Sequence, residues 1–475
     1  MVLQRDRPIH LWGWAEPGEK VTATLNGATQ SAIGDRVGTW NIYLPPQAAG
    51  GPFQLTVSGT NIITVDDILI GDVWFASGQS NMEMPLTGFP GAVVKNSAEE
   101  ISRADQPTLR LLMVKKKPSS YPLRDFEPDV EWTVCKPATA ARFSAVAYFF
   151  GREIAAKEHV PVGLIDSTWG GTPAEAWVSL DTISAHTDLM PVFATWAPMA
   201  NEQADIPAML AAERREDAEA KRAGLPLPKH SWHPDRATYA PAWLYNGMVA
   251  PAINFGIKGV IWYQGETNSK LARAPLYQTL FPALIADWRS HWREGNFPFF
   301  YVQISSFKSD ATESWSTVRE AQRRTLSVSD TGMAVTIDIG DPDNVHPADK
   351  QTVAARLVLA ARALAYGENI EYSGPIFRQT SVEAAGVRVW FDHAGSTLVA
   401  NGVPEGLEVA GEDNHFMKAS ATIDGPTVVV SSSEVKEPKY ARYGWANAPT
   451  VNLFNAAGLP ASPFTSEEEI PVPLP

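Results

Sequence analysis

This 475-residue sequence predicts an α/β fold: a parallel sheet with helices on both faces, flanked by β modules. Three observations carry that prediction. Between about residues 71 and 371, short, continuously apolar runs alternate with longer segments whose apolar residues recur at helical spacing, the rhythm of a sheet covered on both sides. Before residue 71 and after residue 371 the pattern is one of short strands separated by Gly and Pro turns. The chain is also too long for one core, so two or three domains are expected.

The elements follow in order. Val21 to Leu25 alternates and runs into Asn26-Gly27, a tight-hairpin signal. Thr39 to Leu44 and Phe53 to Val57 are further short strands, making residues 1–70 a small sandwich-like module. In the central domain, 71–371, the expected strands are Val73 to Ala76, Val162 to Asp166, Gly259 to Tyr263, Phe299 to Ile304 and Met333 to Ile337. The expected helices are Phe143 to Glu158, Leu276 to Trp292 and Trp315 to Leu326. Glu202 to Arg222, rich in Ala, Glu and Arg, reads as a solvated helix, and "AGLPLPKHSWHP" after it as a Pro-rich excursion. That excursion is either a rim over a site or a surface insertion without a role. "VEAAGVRVWFDHAG", "HFMKASATIDG" and "PTVVVSSSEV" are strands of a second β module and tail, 372–475.

Composition excludes several classes. Hydrophobic residues make up 44% and charged residues 19%, as in a globular protein. With 39 basic and 53 acidic residues the net charge is −14, which repels nucleic acid and anionic membranes. The single cysteine, Cys135, rules out an internal disulfide and a cysteine-based zinc site. No apolar run reaches the ~18 residues that span a bilayer.

The chemistry concentrates just after the expected strands, where ligands bind in open α/β sheets. "GDVWFASGQSNMEM" runs a buried-type strand into Gly78 and then presents Ser80 between two amides, Gln79 and Asn81. A serine at such a turn is a candidate nucleophile, although the second glycine of a G-x-S-x-G elbow is replaced by Met82. Alone, this stretch is more often an ordinary turn. A serine nucleophile needs a base, an orienting carboxylate and oxyanion donors. Among nine histidines, His346 lies in "DIGDPDNVHPADKQ", just beyond a strand, with Asp343 three residues before it and Asp341 as the fallback carboxylate. Pro347 favours an extended His346 and suits the first position of a following helix. The competing reading is a capping Asp beside a surface His. "LIDSTWGGTPAEAW" offers Gly170 and Gly171, which let backbone approach a ligand closely. "VIWYQGETN" offers the amides of Gln264 and Asn268, which could equally hold loops together. Glu83, Glu175 and Glu266 lie near these motifs and keep a glycosidase-type carboxylate pair open.

Taken together, "GQSNMEM", "WGGTPAEAW", "WYQGETN" and "DPDNVHP" resemble, in order, the blocks of SGNH-type hydrolases of the sialate O-acetylesterase-like group. The opening "MVLQRDRPIHLWGWAEPGEKV" and the late "ARYGWANAPTVNLFNAAGLPASPF" extend that resemblance over nearly the whole chain. The group includes bacterial acetylesterases acting on plant cell-wall oligosaccharides such as xyloglucan fragments. The resemblance implies a flavodoxin-like SGNH sheet and a serine esterase that removes O-acetyl groups from carbohydrates, with a catalytically silent carbohydrate-binding protein as the alternative. It implies Ser80 as nucleophile, His346 as base, Asp343 as orienter, and the N–H groups of Ser80 and Gly171 as oxyanion donors. The strict Gly-x-Asn-Asp block is absent, so a further donor falls to Gln264 or, second, Asn268. Gln79, Trp169, Trp262 and Glu266 are expected to face the sugar, although either tryptophan taken alone is more often a core-packing residue. Neither metal nor cofactor is implied, and a periplasmic or secreted location is expected, with the leader outside this chain.

Overall fold

The computed structural model of the chain describes residues 1–202, 206–228, 230, 235–384 and 386–470. The main path of its large sheet runs Thr331–Val335, Phe299–Gln303, Gly259–Tyr263, Ile62–Gly78, Val162–Thr168, Gln106–Met113 and Trp132–Cys135. All neighbours on this path are parallel except the last pair, which is antiparallel. Every residue of Val162–Thr168, Gly259–Tyr263 and Phe299–Gln303 is buried, as expected of strands covered on both faces, and the polar residues lie at the carboxyl ends, Asp166 to Thr168 and Gln303.

Two adjacent residues of the central strand show what covers each face. Trp74 meets Phe150 of the helix Ala145–Glu158, with ring centroids 4.9 Å apart. Phe75 meets Trp288 and Trp292 of the helix Tyr277–Trp292, at 5.5 and 5.3 Å. Successive strand side chains point to opposite faces, so these two helices lie on opposite sides of the sheet. Ser144 caps the first helix by accepting the Ala147 N–H at 3.1 Å.

The central strand extends further than its apolar stretch suggests. Ile62–Gly78 is one 17-residue strand that pairs with Gly50–Ser58 in the N-terminal β module and then enters the main sheet. A boundary at residue 70 therefore falls inside a strand. Gly71 lets it pass, since a Cβ there would lie 2.0 Å from the Pro161 carbonyl oxygen. Gln106–Met113 was not among the expected strands, because Pro107 and Arg110 interrupt its apolar pattern. Asp67 accepts from Arg110 Nη2 at 2.8 and 2.9 Å, which lets that charged residue be buried at 5% exposure.

Among the described residues three hydrophobic cores result. One lies in the N-terminal β module around Leu25, Ile42 and Ile68. The largest surrounds the main sheet. The third lies between the C-terminal antiparallel sheets around Val389, Val409, Val430 and Phe464. The solvated helix is Ile206–Ala223; of the Pro-rich excursion after it, residues 229 and 231–234 lie outside the described residues.

Candidate active site

The carboxyl ends of the central strand and its two neighbours open onto a cavity of about 860 Å³. Ser80 stands at its floor, at the start of a one-turn helix, Ser80–Glu83. The turn that presents it is fixed from three sides. Gly78 has φ +135°, and a Cβ on it would lie 2.2 Å from the Tyr263 carbonyl oxygen, so only glycine fits. Gln79 N–H donates to Tyr263 O at 3.0 Å, and Trp169 N–H donates to Gly78 O at 3.1 Å. The Ser80 N–H lies in the first helical turn, where backbone donors lack intrahelical partners. Gly171 reaches the same cavity with φ +71°. Gly170 N–H is already donated to Glu83, which also pairs with Lys116.

His346 lines the cavity as well. Its Nε2 is buried with no hydrogen-bond partner among the described residues, and its ring meets Phe89 edge-on at 5.3 Å. The chain on either side holds it: Asn344 Oδ1 accepts the His346 N–H at 3.0 Å, and Asn81 Nδ2 donates to the Val345 carbonyl at 2.9 Å. Thus the residue after Ser80 ties down the residue before His346. Burial, and then the charge of Lys350, push the imidazole down to about 4. The following helix starts at Lys350 with Asp349 as its cap, so Pro347 precedes the helix and does not open it.

Lys350 is fully buried and donates to Asn81 Oδ1, while Asn81 Nδ2 also donates to Glu266 Oε1. Desolvation draws the lysine down to about 7 and raises the Glu266 carboxyl. This Glu266–Asn81–Lys350 chain lies behind the nucleophile, and its glutamate reaches the cavity wall.

Several expected site residues stand elsewhere. Asp343 is 80% exposed and accepts from Lys308 Nζ at 3.0 Å. Asp341 is exposed and accepts the Asp343 N–H. Among the described residues neither carboxylate bonds the imidazole, because the turn directs both toward solvent. Gln264 is fully buried, and its Nε2 donates to Thr172 O and Asn268 Oδ1. Asn268 Nδ2 donates to Glu175 at 2.9 Å, and its Oδ1 accepts the Ala174 N–H. Both amides hold loops together, and neither lines the cavity. Trp262 is fully buried against Trp177, Phe281 and Trp288, a core residue and not a sugar platform. Trp169 and Gln79 do line the cavity. Gln79 Oε1 accepts the Thr267 N–H at 3.1 Å. Phe89, Tyr239, Phe307 and Trp315 also line the cavity, with Tyr239 and Trp315 almost fully buried in its wall, as do the cations Lys116, Lys270 and Arg273. No local signal marks these; they converge from separate segments, two of them, Tyr239 and Trp315, from the ends of helices.

Comparison with known proteins identifies the family. Residues 222–365 match the family described as carbohydrate esterase, sialic acid-specific acetylesterase. The sialate O-acetylesterase of Rattus norvegicus is 30% identical over 98% of this chain and 92% of that protein. The Homo sapiens sialate O-acetylesterase is 33% identical over 79% of this chain and 71% of that protein. A carbohydrate acetylesterase from Xanthomonas citri has a crystal structure that superposes with a TM-score of 0.84 at 36% identity, covering 98% of this chain and 97% of that one. With such identity sustained along nearly its whole length, the chain belongs to the sialate O-acetylesterase family of carbohydrate O-acetylesterases.

Proposed function

We propose that this chain removes O-acetyl groups from carbohydrates through an acetyl-enzyme on Ser80, with His346 as the base. The observation that carries the reading is the shared cavity: a serine on a glycine-enforced turn, and a histidine whose Nε2 is buried and unbonded. Ser80 Oγ attacks the acetyl carbonyl as Nε2 takes its proton. The oxyanion is received by the N–H groups of Ser80 and Gly171 and by Gln79 Nε2, whose partner Oε1 is already anchored on Thr267. His346 then returns the proton to the sugar oxygen as the C–O bond breaks. Water repeats the two steps and releases acetate.

In this reading Ser80 and His346 act as a pair whose second member is oriented through its backbone, by Asn81 and Asn344. The strand order and the position of Ser80 support an SGNH-type, flavodoxin-like arrangement. The aromatic wall suits the apolar faces of sugar rings. O-acetylated sialic acids and acetylated xyloglucan or xylan fragments are the substrate classes to compare.

The test is acetate release from that panel by the wild type and Ser80→Ala. Ser80→Ala is expected to lose at least ~10³-fold in kcat/KM while folding normally. A serine-directed organophosphonate is expected to label Ser80 alone, and ordinary activity in Ser80→Ala overturns the assignment. Prolonged chelation is expected to leave the rate unchanged; loss restored by zinc or manganese would replace the serine mechanism.

A further inference from the structure

A second cavity, of about 680 Å³, lies where the N-terminal β module meets the catalytic domain, and it shares no lining residue with the first. Its construction starts in the ribbon formed by Ile9–Trp14 and Thr39–Leu44. Ile9 and Leu11 point into the module's core on one face. Gly13 shares that face, and a Cβ there would lie 2.7 Å from the Trp40 ring. Alternation then puts Trp12 and Trp14 together on the other face. Trp12 is braced edge-on by Phe255, at 5.1 Å, while Trp14 remains 56% exposed. Val37 and Leu180, 72% and 51% exposed, also line this cavity. Tyr245 and polar groups line it too: Asn41, whose Oδ1 bonds the His10 ring at 2.8 Å, the exposed Arg124 and the exposed Asp181.

We propose that this groove is an auxiliary carbohydrate-binding site that holds a part of the glycan away from the ester being cleaved. The chemistry favours a sugar. An exposed indole on a rigid strand offers a flat apolar face to the C–H side of a pyranose, and the carboxylate, amide and guanidinium meet its hydroxyls. The volume is that of a small-molecule cleft. The chain's net charge of −14 opposes an anionic membrane as the occupant. Position also fits. Lys116 lines the catalytic cavity and Ser120, four residues on, lines the groove, so their Cα atoms lie at most ~14 Å apart. One extended glycan could reach both. The proposal rests on the carbohydrate class of the substrate and not on Ser80.

The test is isothermal titration of the Ser80→Ala protein with chemically deacetylated xyloglucan oligosaccharides, xylohexaose and sialyllactose, none of which carries the ester. At least one probe is expected to bind at two classes of site. Trp14→Ala is expected to remove one class, or to weaken it at least tenfold, with Trp14→Tyr restoring part of it and the thermal midpoint unchanged. Trp169→Ala, in the catalytic cavity, is expected to spare that class. Failure of all three probes to bind, or a titration unaltered by Trp14→Ala, overturns the groove. If wild type and Ser80→Ala release acetate equally while Trp14→Ala still abolishes binding, the serine assignment falls and the groove stands.

Discussion

His346 has its Nε2 buried and unbonded, so its surroundings set its basicity. A base must be neutral to accept the proton of Ser80. With the imidazole pushed down to about 4, mainly by burial and then by Lys350, kcat/KM is expected to hold from pH 7 down to about 5 and to fall near pH 4. An unperturbed histidine would lose activity near pH 6.5. Lys350→Met removes the charge but not the burial, so the acid limb should move only part of the way back up. A pH–rate profile reads both, and a wild-type limb at 6.5 would show that the imidazole is more solvated than this geometry allows. Asp343 supplies a second test. A carboxylate that orients a catalytic imidazole is worth about 10⁴ in a Ser-His-Asp protease. Here the carboxylate faces Lys308 and solvent, so Asp343→Asn should cost less than ~10-fold while His346→Ala approaches Ser80→Ala. A loss of ~10³ in Asp343→Asn would mean that the Asp343–His346 turn rearranges when substrate binds.

The strand-to-helix turn at Gly78 is the element on which the site depends. Gly78→Ala would put a methyl group against the Tyr263 carbonyl in a left-handed conformation, breaking the contacts that seat Gln79 and Trp169. The expected cost is ~2–4 kcal/mol in a urea titration, with kcat/KM down more than ~10²-fold. A neighbouring strand carries a titratable group at a comparable place. Asp166 is buried, accepts from Thr168 Oγ1 at 2.7 Å, and is raised to about 7, mainly by desolvation. Its folded value exceeds its unfolded one, so its stabilising effect is full at low pH and is lost as pH rises toward 7. Asp166→Asn lacks that loss, so its stability relative to wild type should improve by at least ~1 kcal/mol between pH 4 and pH 8. The element scale is also where the sequence was most legible. Strands such as Gly259–Tyr263 are continuous apolar runs, and the turn at Gly78 is marked by its own residues. For Gln264, Asn268 and Trp262 the sequence leaves two readings open for a physical reason: adjacency to a motif does not reveal which way a side chain points. Trp262 alternates into the core, and the two amides spend their donors on neighbouring loops. Phe307 and Trp315 are the converse, brought to the site only by tertiary packing.

The whole molecule enters the site through its C-terminal module. Asn447, on a loop of that module, accepts the Trp315 N–H at 2.9 Å and donates to Ser309 Oγ and the Glu313 carbonyl. Glu313 in turn accepts from Trp315 Nε1 and Lys270 Nζ, each at 2.8 Å. Beneath them Arg319, fully buried, spreads its guanidinium over four carbonyls: Ile304 and Ser305 of the catalytic domain, and Ala446 and Asn447 of the module. One wall of the catalytic cavity is therefore held from a separate core, and the two contact residues should fail differently. Asn447→Ala removes three bonds to the wall while leaving Ser80 and His346 untouched. It should raise KM for an acetylated oligosaccharide ~5–20-fold with little change in kcat, and barely alter hydrolysis of p-nitrophenyl acetate, which does not need the wall. Arg319→Lys keeps the charge but cannot reach all four carbonyls, and buried acceptors left unpaired cost ~1–3 kcal/mol each. It should lower the thermal midpoint and the activity on both substrates together. Equal losses on both substrates in Asn447→Ala would show that the module stabilises the whole catalytic domain and does not specifically shape its sugar-facing wall.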